Sequence, residues 1–294
     1  MTARPSLADA AALVSEEAVT RLRARPGFRA AVERYTLETL NHSRGLDPAG
    51  RWMLADLGRT AIYITVVILD ALPDGASAAA IAAISKDTGA TSRGRVAQFI
   101  RFAQDAGEIG VPPGSEHWTR RRLILRTAFA ERLRERAMVE ARAIARIAPE
   151  VSSLADKLKD DPTYRRLLLM SAMLMPQDPY AEIPGAMMFF LHRECGMRIL
   201  QHLMLDQAQD RGRMLDSAPL SRNQLSQTYG VSRAHINRLF ADAEAQGLVR
   251  LPTPRRVEFT PALSDDYELT LARVFQRYHA AYLATLATEP PAGG

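Results

Sequence analysis

The stretch whose reading decides the fold is Leu220-Ser221-Arg222-Asn223-Gln224-Leu225-Ser226-Gln227-Thr228-Tyr229-Gly230-Val231-Ser232-Arg233-Ala234-His235-Ile236-Asn237-Arg238-Leu239-Phe240, with Glu244-Ala245-Gln246-Gly247-Leu248-Val249 shortly after it. Leu225 and Tyr229 stand at the spacing of one face of a short helix. Gly230 follows where the chain must turn through a conformation that glycine adopts at little cost. Ser232 is placed to cap a second helix, its hydroxyl accepting from the free amides of the first turn. Ile236, Leu239, Phe240 and Ala243 then repeat at the i, i+3, i+4, i+7 spacing of a buried stripe. Arg233, His235, Asn237 and Arg238 point away from that stripe, and arginine and asparagine pair bidentately with guanine and adenine edges in a major groove. Past Gln246-Gly247, residues 248–251 read as a strand, Pro252-Thr253-Pro254-Arg255-Arg256 as a basic turn, and residues 257–260 as a second strand.

Helix, turn, helix, strand, basic turn, strand is an order that resembles the winged helix-turn-helix of bacterial transcription regulators of the MarR, GntR and Crp kinds. The resemblance covers about forty residues. It implies that the helix of residues 232–246 enters a major groove with Ser232, Arg233, Ala234, His235, Asn237 and Arg238 near base edges. Arg255 and Arg256 of the wing would reach the flanking backbone or minor groove. Arg222, Asn223 and Gln224, at the start of the preceding helix, would bind phosphates.

The same pattern occurs a second time, earlier in the chain. Ile84 falls on Leu225 and Gly89 on Gly230; after a one-residue insertion, Ser92-Arg93 falls on Ser232-Arg233. Phe99 then matches Leu239, residues 103–107 match residues 243–247, and Ile109 matches Val249. In this copy the exposed face of the second helix would carry Ser92, Arg93, Arg95, Gln98 and Arg101. Residues 108–111 read as a strand, residues 112–120 as a wing tip and residues 121–126 as the return strand. The sequence His117-Trp118-Thr119-Arg120-Arg121-Arg122 makes this wing the more basic, and Arg120, Arg121 and Arg122 are candidates for phosphate or minor-groove contact.

Charge is distributed accordingly. The net charge is +5, but six arginines face three acids between Ser217 and Thr260, and eight basic residues face four acids between Ala76 and Arg126, so the remainder is slightly acidic. A single cysteine, Cys195, excludes an internal disulfide and suits a reducing cytoplasm. No signal-type apolar stretch opens the sequence, and the longest apolar run, residues 61–69, is far short of the roughly 20 residues of a membrane helix. The expectation is a soluble cytoplasmic protein with no membrane association. Phosphate-binding loops, dinucleotide fingerprints, zinc-protease and nucleophile-elbow motifs are all missing, so no enzyme activity and no cofactor is expected.

The expected fold class is mainly α, with tandem winged helix-turn-helix domains bearing small β-wings, joined and flanked by helices. Residues 1–50 form an N-terminal helical segment, with residues 42–50 a loop. The first winged unit is 51–126, led by one helix over 51–72. A helical region, 127–184, long, charged and broken by Pro149, links the units or serves dimerisation or an effector. The second unit is 185–262, led by a helix over 185–208, and residues 263–294 form a closing helix and tail. Methionines at 170, 173, 175, 187 and 188 read as core between the lobes, and His192, Cys195 and His202 as packing residues with too few ligands for a metal.

Double-stranded DNA is the expected partner and sequence-specific transcription regulation the expected function, the protein acting as a homodimer or a pseudo-dimeric monomer with an unidentified small-molecule effector. Two alternatives belong to other classes. Plasmid-type replication initiators also carry tandem winged helices, and winged units also serve as protein-interaction scaffolds.

Overall fold

The polypeptide is built from helices, most of them started by a side-chain cap, with three small antiparallel sheets among the described residues. The computed structural model describes residues 15–89, 91–114, 117–174, 180–206 and 213–288. Helices α1 (Glu16–Arg23) and α2 (Phe28–Gly45) open the described chain. The segment expected to be a loop at 42–50 is largely helical: α2 runs to Gly45, and α3 (Pro48–Met53) starts almost at once. The expected single helix over 51–72 is likewise divided, because α4 (Leu57–Asp70) begins afresh. Two aspartates cause the division. Asp47 accepts from the Gly50 amide at 2.6 Å and Asp56 from the Arg59 amide at 2.9 Å, so each offers the backbone a helix start in place of continuation.

Helices α5 (Ala78–Asp87) and α6 (Arg93–Asp105) follow, then a short ladder of β1 (Ile109–Gly110) and β2 (Ile124–Leu125). The helical region from 127 is interrupted around Pro149, as expected: α7 (Thr127–Ile144) is followed by a 3₁₀ turn at Pro149–Val151, and α8 (Leu154–Lys157) and α9 (Asp161–Met173) come after it. Nor is there one helix over 185–208. Helix α10 (Gly185–Leu191) and helix α11 (Gly196–Met204) meet at Cys195, which sits in the left-handed region at φ 55°. Cys195 donates its amide to Ala55 O at 2.7 Å, a bond across the molecule that compensates for that costly backbone conformation.

The chain then forms the hairpin β3 (Leu205–Asp206) and β4 (Arg213–Met214), strand β5 (Ser217–Pro219), helices α12 (Arg222–Tyr229) and α13 (Arg233–Ala245), and the hairpin β6 (Val249–Thr253) and β7 (Arg256–Phe259). Strand β7 is central in a three-stranded sheet of order β5-β7-β6, with Ala218 opposite Val257 and Val249 opposite Phe259. Helix α14 (Pro261–Ala287) closes the fold, packing along α1 and α9 and against α2, α7 and α10.

One hydrophobic core runs through both halves, from Leu22 and Val32 through Phe99 and Phe129 to Phe240 and Phe275. Tyr35 meets Phe275 edge-on at 5.2 Å, so the first long helix and the last are packed ring against ring. In the methionine-rich stretch Met187 is fully buried, whereas Met173 at the end of α9 is 72% exposed; Met175 lies outside the described residues. Among the described residues no helix is long and apolar enough to cross a membrane.

Candidate nucleic-acid interface

The two helix pairs α5–α6 and α12–α13 are built with the same local chemistry. Ser77 and Ser221 cap the first helix of each pair, accepting from Ala80 and Gln224 amides. Gly89 (φ 64°) and Gly230 (φ 69°) make the turns. Ser92 and Ser232 cap the second helices, accepting from Arg95 and His235 amides at 3.3 and 3.0 Å. Both second helices have 13 residues. Each is closed by a glycine at φ 69°, Gly107 or Gly247, and in each the next amide reaches back: Glu108 to Ala103 O at 2.7 Å, Leu248 to Ala243 O at 2.9 Å. Paired bonds of this kind are the usual glycine C-terminal cap.

Each pair is followed by an antiparallel hairpin that is joined to the residues before the pair. In the second, β7 bonds to β5. In the first, the Leu123 amide donates to Ala76 O at 2.7 Å. Strand β5 is not evident in the sequence, because Ser217-Ala218-Pro219 lacks β-branched residues and is held only by its pairing with β7.

On α13 the stripe Ile236, Leu239, Phe240 and Ala243 is buried, and Arg233, Ala234, Asn237, Arg238 and Ala241 face solvent. Neither Arg233, Asn237 nor Arg238 has a side-chain partner among the described residues. The acidic side chains of the same helix are engaged, though still in contact with solvent: Asp242 pairs with Arg193 at 3.3 Å and the exposed Glu244 accepts from the Leu251 amide at 2.7 Å. The exposed face is therefore cationic. The hairpin adds Arg250 and Arg255, also exposed and without side-chain partners among the described residues. Arg250 escaped the sequence reading because it lies in a strand, not the basic turn; its alternation with buried Val249 was the available signal.

Other candidates are already engaged. Arg222 donates to Pro254 O and so ties the start of α12 to the hairpin tip, and Arg256 donates to Ser217 Oγ at 2.6 Å. His235 is half-buried, its Nε2 3.0 Å from Glu194 O. Asn223 and Gln224 are exposed on the first turn of α12.

In the first pair Arg93, Gln98 and Arg101 are exposed and unpaired among the described residues, whereas Arg95 binds Asp56 at 3.1 Å. Arg121 is folded onto its own loop, donating to Pro112 O and Gly114 O, and Arg122 reaches Pro73 O and Asp70. Of the three, Arg120 is exposed and without a side-chain partner among the described residues. Trp118 is half-buried against the core. The Arg122 contacts lie about fifty residues away and the Arg121 contacts depend on how the loop folds back, so neither can be read from residue type.

His192, Cys195 and His202 do not converge. His192 is exposed; Cys195 is buried with its thiol pKa pushed up by that burial; His202 shares a hydrogen bond with the Tyr229 hydroxyl at 3.0 Å. Burial also pushes the Tyr229 hydroxyl up to about 12, so it remains a neutral donor at the base of α12. Among the described residues no three histidine, cysteine, aspartate or glutamate side chains are grouped as metal ligands. No family model matches the chain, and no curated protein and no solved structure matches it either.

Proposed function

We propose that the chain is a sequence-specific DNA-binding transcription regulator carrying two winged helix-turn-helix units, the first centred on α5, α6 and the β1–β2 hairpin, the second on α12, α13 and the β5-β7-β6 sheet. The observation that carries this reading is the exposed face of α13. A capped helix presents Arg233, Asn237 and Arg238 without side-chain partners among the described residues, beside small Ala234 and Ala241, while Asp242 and Glu244 are bonded to Arg193 and the Leu251 amide. Small residues permit close approach, and the free side chains are those that read guanine and adenine edges. Arg250 and Arg255 on the adjoining hairpin supply backbone contacts. Helix α6 repeats the arrangement with Arg93 and Gln98.

The test is binding to a selected duplex by fluorescence anisotropy. Asn237→Ala is expected to cost about 1–3 kcal/mol and relax preference at one base pair, whereas Arg255→Ala weakens all sequences alike and lowers the salt slope by about 1. Wild-type protein with no sequence preference at any salt concentration overturns the proposal.

A further inference from the structure

The first turns of α6 and α13 are joined by a continuous chain of contacts that leaves Arg93, Gln98, Arg233, Asn237 and Arg238 outside it. From α6, Arg95 Nη2 binds Asp56 Oδ2 at 3.1 Å. The same carboxylate binds Arg59 Nε at 3.2 Å, and Arg59 Nη1 binds Glu194 Oε1 at 3.2 Å. The backbone carbonyl of Glu194 then meets His235 Nε2 on α13 at 3.0 Å.

Arg59 is held from every side. Its guanidinium lies over the Trp52 ring at 4.3 Å and donates to Trp52 O at 3.2 Å. Trp52 in turn stacks on Phe102 of α6 at 3.8 Å. The Asp56 side chain is only 4% exposed, so its charge is compensated by the two arginines that it joins. On the other side, the turn between α10 and α11 grips α13 twice, through Glu194 O and through Arg193 on Asp242, and docks on the turn between α3 and α4 through the Cys195 amide.

We propose, resting on the DNA reading above, that α6 and α13 form one composite reading head for a single compact stretch of duplex with abutting halves. Asp56, Arg59 and Glu194 are positioning residues that set the spacing of the two halves, and Arg95 and His235 serve the seam and leave base contact to Arg93, Gln98, Arg233, Asn237 and Arg238. The geometry argues against two separated heads. A winged or helix-turn-helix dimer places its reading helices one DNA turn apart, about 34 Å. Here the path between the first turns crosses four contacts of 3.0 to 3.2 Å. Between them stand only the side chains of Asp56, Arg59 and Glu194, two of them from a single helix start. The first turns, which make most base contacts in such helices, are therefore closer than one DNA turn. Both present free arginines to the same partner, whose charge is continuous along the axis.

The test uses the full chain and the duplex that it selects from random sequence. Hydroxyl-radical footprinting should show one uninterrupted protected segment per protomer. Inserting one base pair between the two halves should lower affinity tenfold or more, and inserting a full turn of about 10 base pairs should not restore it. Arg59→Gln should shrink the penalty for the one-pair insertion while leaving affinity for each isolated half unchanged. Glu194→Gln, at a side chain 47% exposed, should do the same more weakly without risk to folding. A structural role alone would lower the melting temperature and leave the spacing profile as it was. Full recovery on a ten-pair insertion, or an unchanged spacing profile in both variants, overturns the composite head and leaves the DNA reading intact. Failure to select any motif overturns both.

Discussion

Replacing Arg132 by Met should be among the most destabilising single changes in this chain, and the structure gives the reason and the size. Arg132 on α7 makes a two-pronged bond to Glu108, Nη1 to Oε2 at 3.1 Å and Nη2 to Oε1 at 2.7 Å, and a further bond to Asp47 at 2.6 Å. It thereby ties the first hairpin, through the residue before β1, to the N-cap of α3. Hydrogen bonding to Glu108 holds the Arg132 pKa above its ordinary value against the opposing effect of burial.

The two arms differ in worth. Asp47 is half exposed and contributes at most about 1 kcal/mol. Glu108 and Arg132 have side chains each only 10% exposed, so Arg132→Met leaves a buried carboxylate without its partner, a loss of about 3–5 kcal/mol. Most of that is the penalty on the orphaned charge, not the value of the pair. Arg132→Met with Glu108→Gln should therefore recover part of the loss, to about 1–2 kcal/mol. Urea unfolding at unchanged slope measures both. A single-variant cost below 1 kcal/mol, or a double variant as unstable as the sum of the two singles, would refute the reasoning.

Stability should fall toward acid between pH 6.5 and 4. Burial lowers the His42 pKa to about 4, reinforced by Arg136 and Arg198, and burial also lowers those of His202 and His279. A lowered base is protonated first in the unfolded chain, so its contribution is whole above the ordinary value of 6.5 and is lost as pH drops through the folded one. For His42, partly reached by solvent and with Glu135 Oε2 3.6 Å from its Nδ1, screening keeps the contribution well below roughly 3 kcal/mol. Glu140, raised by burial, acts in the opposite sense and moderates the fall. Urea midpoints from pH 7.5 to 4.5 should decline, and decline less in His42→Gln; a flat profile would contradict the assignment. Gly230→Ala should cost about 1–2 kcal/mol through its φ of 69° alone, since nothing lies within 4 Å of an added Cβ. Gly196→Ala should cost more, because its Cβ would meet the Phe190 carbonyl and force α10 and α11 apart. Equal costs by urea unfolding would show that the crowding at Gly196 is relieved without loss.

The elements that were legible in the sequence are those whose signals are local. Ser232 before a buried 3.6-period stripe announced α13, and Ser92 announced α6, because a cap and the face that it starts lie within one helix. Mainly helical structure with short antiparallel hairpins followed from the same reasoning. The break at residues 54–56 was only partly legible: Asp56 is a capping residue by type, but the apolar run on either side favours continuation. The break at Cys195 left no mark at all, since a left-handed cysteine is stabilised by Ala55 O, 140 positions away in the chain.

At the candidate interface, side-chain partners that are remote in sequence were not legible. Arg95 and His235 have the right residue types for base reading, yet Asp56 and Glu194 hold them. Residue type reports what a side chain can bind; only the fold reports what already binds it. The same lesson applies in reverse to Arg250, whose position in a strand hid an exposed cation, unpaired among the described residues, on the same hairpin as Arg255.

The measurement that bears most directly on the function is selection and sequencing of genomic fragments bound by the full chain at two salt concentrations, with Arg233→Ala plus Arg238→Ala and Arg93→Ala plus Gln98→Ala run beside it. The account predicts one enriched motif in wild type, with each double variant losing preference over a different half at about 1–3 kcal/mol per base contact. Weak, salt-driven binding with no enriched motif, unchanged in both variants, would contradict it.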